Sequence, residues 1–473
     1  MHKFSRALKP VLRNPHFELS RIQSRNLPVC VTPLSEPLED VEFDESKSAS
    51  HSSEVQVTTL SNGMKVASVD SSNPNARVGM FFKTGSRYET LLNIGISHIL
   101  RVGAFLTTSD HTGFHISRTM EENGISLEAS SSRENVVYSG QCLKDNVNLL
   151  IPYLANVARV PEFRQWELDD IAENVALDLA IAETNPQIGL IEELHRIAYK
   201  NGLRNSIYCK PHKIHSFRTD MLLNFVKEMF VGKKMALVGV GVPHKSLVDL
   251  CETYFSLIPA GSDAPPQKAL YCGGELISEE PKGLIYVALA SEGSSFVDKK
   301  YLSFGVLQRV LGITPFIKWG SNTVSSRINK AVQKVTDGPF MGSALNINYT
   351  DSGLFGFHAA ASPKDAAKVT RTIVDEYSKV SKGDVTKEEV QRAKNQLKSS
   401  IHMSGESSVD KLEDIGTQIL HRGQYTSPDS CAQQIDKVSL DDVVSAAKLI
   451  FQKKPSLVVM GESENLPRLE DLM

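Results

Sequence analysis

The segment Gly95-Ile96-Ser97-His98-Ile99-Leu100-Arg101-Val102-Gly103-Ala104-Phe105 decides how this chain is read. Its run of apolar and small residues predicts the start of a buried helix with one histidine, His98, facing inward. On a helix, residues i and i+4 share a face, which places Val102 beside His98. Valine has no lone pair to offer. Arg101, beside it, is a permanent cation that cannot serve as a base and would repel a dication.

Immediately upstream lies Gly85-Ser86-Arg87-Tyr88-Glu89, preceded by an apolar strand over residues 77–84. Before it, Val55, Val57 and Thr59 alternate, Ser61-Asn62-Gly63 supplies a turn, and residues 65–69 return as a second strand. Downstream the pattern predicts a helix over 116–123, an alternating strand-like stretch over 126–140, and helices over 147–157 and 166–182. A helix over 221–230 then runs into a strand over 235–242.

The plan then repeats. Thr219-Asp220-Met221-Leu222-Leu223-Asn224-Phe225-Val226-Lys227-Glu228-Met229-Phe230 has a counterpart in Leu440-Asp441-Asp442-Val443-Val444-Ser445-Ala446-Ala447-Lys448-Leu449-Ile450-Phe451. Each is followed by a lysine pair, Lys233-Lys234 or Lys453-Lys454, and then by an apolar strand. Two halves of roughly 200 residues closing on one helix-to-strand signature predict a duplicated α+β domain. Pro259, Gly261, Ser262, Pro265 and Pro266 mark the junction as a linker over 258–274, and the second half opens with a strand over 284–290.

The 473 residues, 41% hydrophobic and 23% charged, suit a globular protein of two or more domains. A net charge of −3 gives no basic field for nucleic acid. No uncharged apolar run approaches the ~18 residues of a membrane span, so any membrane association comes through partner proteins. Cys30, Cys142, Cys209, Cys251, Cys272 and Cys431 are scattered without a Cys-x-x-Cys pair and are expected to be reduced thiols. The first 25 residues carry Lys3, Arg6, Lys9, Arg13, Arg21 and Arg25 against Glu18, with Phe4, Leu8, Val11 and Leu12 at helical spacing. This is the composition of a mitochondrial presequence; a disordered basic tail is the alternative. Residues 31–54 read as an acidic and Ser-rich linker.

The Gly-Ser-Arg-x-Glu lead-in with His98 resembles the metal-binding helix of the pitrilysin-type zinc peptidases, where His-x-x-Glu-His follows such a lead-in. Against that pattern His98 stands at the first ligand, Arg101 at the general base and Val102 at the second ligand. The third ligand closes a Glu-x6-Glu pair, aligned here with Glu173 to Ala180, so alanine occupies it. The resemblance therefore implies a degenerate zinc site at His98, Arg101, Val102 and Ala180, with no catalytic residue and no cofactor. It also implies two homologous domains in a clam-shell arrangement: residues 55–257 and 275–473, joined by the linker 258–274, after a presequence over 1–30 and the linker 31–54.

Within the family the likeness is to the noncatalytic core subunits of mitochondrial ubiquinol–cytochrome c reductase. It is carried by Pro161-Glu162-Phe163-Arg164-Gln165-Trp166-Glu167, Asn185-Pro186-Gln187 with Leu194-His195, Asn205-Ser206-Ile207-Tyr208-Cys209, Gly320-Ser321-Asn322-Thr323-Val324-Ser325-Ser326 and Tyr349-Thr350-Asp351-Ser352-Gly353-Leu354-Phe355-Gly356-Phe357. That likeness implies a structural role in a dimeric respiratory complex, pairing with core protein 1, and a peripheral place on the matrix side of the mitochondrial inner membrane. Haem and iron–sulfur ligation patterns are absent from the sequence, so electron transfer belongs to other subunits.

Two other functions compete. The noncatalytic subunit of the family's processing peptidase grips presequences through a glycine-rich loop, and the matching Gly312-Ile313-Thr314-Pro315-Phe316-Ile317-Lys318-Trp319-Gly320 is stiffer and apolar. An active zinc endopeptidase needs ligands that are missing. His111 and His115, at i and i+4 around Gly113, read as solvated or capping residues in a loop or helix entry. His195, His212 and His215 read as structural. Asp351-Ser352-Gly353-Leu354-Phe355-Gly356 predicts a strand packed closely on another backbone.

Overall fold

A computed structural model describes residues 54–279, 283–313, 326–450, 452–461 and 468–472. The expected presequence, nearly all of the 31–54 linker and most of the 312–320 segment lie outside them. The first half builds a six-stranded sheet from β1 (Gln56–Thr59), β2 (Lys65–Val69), β3 (Asn75–Phe82), β4 (Ser126–Ser131), β5 (Val136–Leu143) and β6 (Met235–Val240). The second builds a five-stranded sheet from β7 (Gly274–Ser278), β8 (Ile285–Glu292), β9 (Phe340–Asn348), β10 (Gly353–Ala361) and β11 (Ser456–Met460). The stretch expected to alternate over 126–140 is the β4–β5 hairpin.

The sheet orders are β1-β2-β6-β3-β5-β4 and β7-β11-β8-β10-β9. Without β1 they match strand for strand in order and direction. In each, one parallel pair (β2 with β6, β7 with β11) is followed by three antiparallel ones. The repeat inferred from two helix-to-strand signatures is thus a repeat of whole sheets. The central strands β6 and β11 are buried along their whole length, which is why they read as unbroken apolar runs. In β10, a Cβ on Gly356 would lie 1.9 Å from the Leu289 carbonyl oxygen, so the close backbone approach expected there is present.

Each sheet has helices of its own half on one face and a helix of the other half on the second. Helix Pro186–Ala198, started by the Asn185 cap and Pro186 at its first turn, lays Leu190, Leu194 and Ala198 on Ala288, Ala290, Leu354 and Val458 of the second sheet. Helix Ser408–Arg422 returns the exchange. It is capped by the Ser407 side chain and packs Leu412, Ile415, Ile419 and Leu420 on Ala67, Val69, Phe81, Ala236 and Val238 of the first sheet. Those four residues are nearly inaccessible, and full burial is worth about 1.5–3 kcal/mol for each side chain of this size. Gly416 permits the approach, since a Cβ there would sit 2.2 Å from the Phe81 ring. The halves are therefore interdependent layers.

Candidate functional site

The segment that decides the fold forms helix Ile96–Val102, bracketed by Gly95 and Gly103. Gly95 takes φ of +97°, and a Cβ there would press on Cys209 at 3.0 Å, so glycine is required on both counts. Glu89 closes the helix start by accepting from the backbone N–H groups of Gly95 (2.8 Å) and Ser97 (2.9 Å). Burial pushes this carboxyl up to about 7, against the pull of those two donors.

His98 is wholly buried, and both ring nitrogens are engaged. The backbone N–H of Cys209 donates to Nδ1 at 3.0 Å, which leaves Nε2 as the protonated nitrogen that donates to Asp178 Oδ2 at 2.8 Å. Tyr208 stands edge-on to the ring with centroids 5.6 Å apart. Burial holds the imidazole below its ordinary value, and Arg101 adds to this while Asp178 opposes it. Arg101 Nη2 donates to the same Asp178 Oδ2. Burial would raise Asp178, but the hydrogen bonds from His98 and Arg101 hold it below the ordinary carboxylate range. Val102 packs on the core of the first half.

Asp178 is the residue that the sequence reading missed. It and Ala180 both lie on helix Gln165–Thr184, but Ala180 is exposed, and Asp178 is the residue that this helix brings to His98. Ala180, the position aligned with the third ligand, is thus turned to solvent, and the residue two places before it reaches His98. The sequence offers Asp178 as a carboxylate within the aligned stretch, and the structure shows that it is the one turned toward His98.

These residues do not fit a catalytic zinc. His98 and Asp178 are the ligand types at the site, each is spent on internal hydrogen bonds, and a guanidinium rests on the carboxylate. Among the described residues no group of three or more His, Cys, Asp or Glu is placed to hold a metal ion. Beside the site is an open cavity of about 240 Å³ lined by Arg101, Asp178, Ile207, Tyr208 and Ala129, Ser130 and Ser131 of the edge strand β4.

The other histidines singled out in the sequence lie elsewhere. His111 and His115 lie with ring centroids 5.0 Å apart, and His111 stacks on Tyr153. His195 donates from Nδ1 to the Ile191 carbonyl (2.7 Å) and accepts the Tyr349 hydroxyl at Nε2 (2.7 Å), joining the two halves. His212 and His215 fall in the 3-10 turn Pro211–Ser216. Cys142, Cys209, Cys251, Cys272 and Cys431 are all free thiols.

A family model described as "Insulinase (Peptidase family M16)" matches residues 65–211, and one described as "Peptidase M16 inactive domain" matches residues 216–397. The chain belongs to the M16 peptidase family. Its M16 relatives include "Cytochrome b-c1 complex subunit 2, mitochondrial" of Homo sapiens, 37% identical over 89% of this chain and 92% of the human one, and its Rattus norvegicus counterpart at the same identity and coverage. "Mitochondrial-processing peptidase subunit alpha" of Solanum tuberosum is 30% identical over 92% of this chain and 88% of that relative. The first matched segment holds β2 to β5 of the first sheet, and the second holds β6 of that sheet together with β7 to β10 of the second; each sheet is mixed and carries helices. No helix among the described residues is long and apolar enough to cross a membrane.

Proposed function

We propose that this chain is the noncatalytic core subunit 2 of the ubiquinol–cytochrome c reductase, or cytochrome b-c1 complex. In this reading it pairs with core protein 1 at the matrix face of the mitochondrial inner membrane and supports assembly of a dimeric complex. The observation that carries the reading is the state of His98: the histidine of the M16 helix is kept, but as a neutral, fully hydrogen-bonded core residue with Arg101 beside it. Such a site has neither an open ligand nor a base to activate water. The 37% identity to human subunit 2 along nearly the whole of both chains supports the choice of complex. Residues 1–30 act as the import presequence, and the folded body comprises residues 55–257 and 275–473 joined by the linker 258–274.

The test is a native gel of mitochondrial extracts with and without the protein, together with quinol–cytochrome c activity. The expected result is loss of the reductase band along with its activity. An intact, active reductase with uncleaved precursors accumulating would transfer the chain to the processing-peptidase subunit, the reading that the 30% relative represents.

A further inference from the structure

The junction between the halves reads in sequence as a free linker rich in proline and glycine, yet it is fastened along its length. Its Pro259 and Ala260 carbonyls accept from the N–H groups of Gly232 (2.9 Å) and Lys233 (3.1 Å), and Asp263 pairs with Lys83 at 2.9 Å. Farther on, Asn201 Nδ2 donates to the Lys268 carbonyl (2.8 Å), and the Leu270 N–H donates back to Asn201 Oδ1 (2.9 Å). Tyr199 and Tyr271 form an antiparallel bridge.

At the centre is Arg87, its side chain 1% exposed. One guanidinium binds three separate parts of the molecule. Nη1 donates to Glu134 Oε1 of the β4–β5 turn at 2.5 Å. The fork Nη1 and Nη2 holds both carboxylate oxygens of Asp351, from the β9–β10 turn of the second half, at 2.7 and 2.5 Å. Nη2 also donates to the Gln267 carbonyl of the junction at 3.0 Å. Asp351 Oδ2 in turn accepts the Ala269 N–H at 2.9 Å. A bidentate arginine–carboxylate pair withdrawn from water has a fixed geometry and charge-assisted strength.

We propose that residues 259–273 are a strap and that Arg87, with Asp351, is the clasp that fastens it, locking the two halves as one body. This goes beyond the scaffold reading and holds whether or not the chain is in an assembly. The Lys268 side chain is exposed, but its peptide lies between the Gln267 carbonyl held by Arg87 and the Ala269 N–H held by Asp351. A protease needs that peptide free and extended, so its cleavage reports opening of the clasp.

The experiment is limited trypsin digestion of the full chain, following the Lys268–Ala269 bond, with Lys398 in helix Lys387–Ser404 as an internal control. Expected is slow cutting at Lys268 in the unmodified chain and cutting about tenfold or more faster in Arg87→Ala, with Lys398 unchanged. Asp351→Asn keeps the Glu134 contact and is expected to fall between the two; it decides the matter alone if Arg87→Ala does not fold. Equal rates at Lys268 in the unmodified chain and Asp351→Asn would overturn the proposal. So would an equal acceleration at Lys398, which would mean general unfolding.

Discussion

In the first half, the helix after β3 meets the long helix Gln165–Thr184 through Arg101 and Asp178. In the second, the helix after β8, Tyr301–Leu311, meets the long helix Lys387–Ser404 through Arg309 and Ser400. Asp178 and Ser400 stand at the same place in their helices, counted from Gln165 and Lys387. Both crossings therefore carry an arginine, and they differ in what answers it. Asp178 answers Arg101 with a charge and also binds His98, whereas Arg309 finds a neutral hydroxyl at 3.0 Å and, among the described residues, no partner for its buried Nε. Burial accordingly lowers Arg309. In this chain, then, one helix crossing carries an ion pair and the other an arginine bound to a neutral hydroxyl, while the same pair of helices packs in both halves.

The strongest challenge to the comparison is to separate the halves. Produced alone, residues 54–257 lack the Ser408–Arg422 helix that covers Ala67, Val69, Phe81, Ala236 and Val238. We expect no cooperative thermal transition and strong binding of a hydrophobic dye, both corrected by co-expression with residues 258–473. A sharp transition from the lone half would show that the exchange is dispensable. A smaller injury to the same layer is Gly416→Val, which forces the helix off Phe81. Overpacking of this kind costs about 1–3 kcal/mol, read as a lower denaturation midpoint at unchanged slope.

The site itself can be sharpened by rebuilding it. Because Asp178 already faces His98, Arg101→Glu with Val102→His is expected to bind zinc without any change at Ala180. Adding Asp178→Asn should weaken that binding by more than the roughly 10–100-fold typical of losing a second-shell group, and adding Ala180→Glu should leave it unchanged. Zinc binding that requires Ala180→Glu would restore the register inferred from sequence.

A titration separates the halves more gently. Burial and Arg101 hold the folded His98 below its ordinary value of 6.5. The unfolded chain then binds more protons than the folded one below pH 6.5, so this contribution is complete above that value and is lost as pH falls beneath it. The His98 ring followed by NMR should titrate below 6.5. Titration at or above 6.5 would mean that the ring is charged and that Asp178 outweighs its burial.

How far the sequence carried can be judged residue by residue. The duplication was legible because the Thr219–Met229 and Leu440–Ile450 helices feed matched central strands, where burial on both faces demands unbroken apolar runs. The expectation of a spoiled zinc site comes from residue chemistry alone, because arginine and valine are unsuited to the base and ligand roles wherever Arg101 and Val102 point. Asp178 was missed because a register along a mostly apolar helix is fixed by the direction each side chain faces, which composition does not encode. The helix exchange was hidden for a similar reason. Leu190 and Leu194 mark an amphipathic face, but no local pattern says which half's sheet it covers. Nor does a strand of prolines and glycines announce that its carbonyls are held by Asn201 and Arg87.

The finest test supplies in the second half what the first half has. Ser400→Asp places a carboxylate where Ser400 now accepts from Arg309 Nη2 at 3.0 Å. Arg309 is half-buried, so screening by water limits the gain, and about 0.5–1 kcal/mol of added stability is expected. The companion change Arg309→Met with Ser400→Ala removes the cation and the hydroxyl together, and should also be neutral or stabilising, because a half-buried charge held only by a neutral hydroxyl is lost. If both variants are less stable than the parent by urea denaturation, the guanidinium already has an adequate environment, and the contrast between the two crossings is one of geometry without energetic weight.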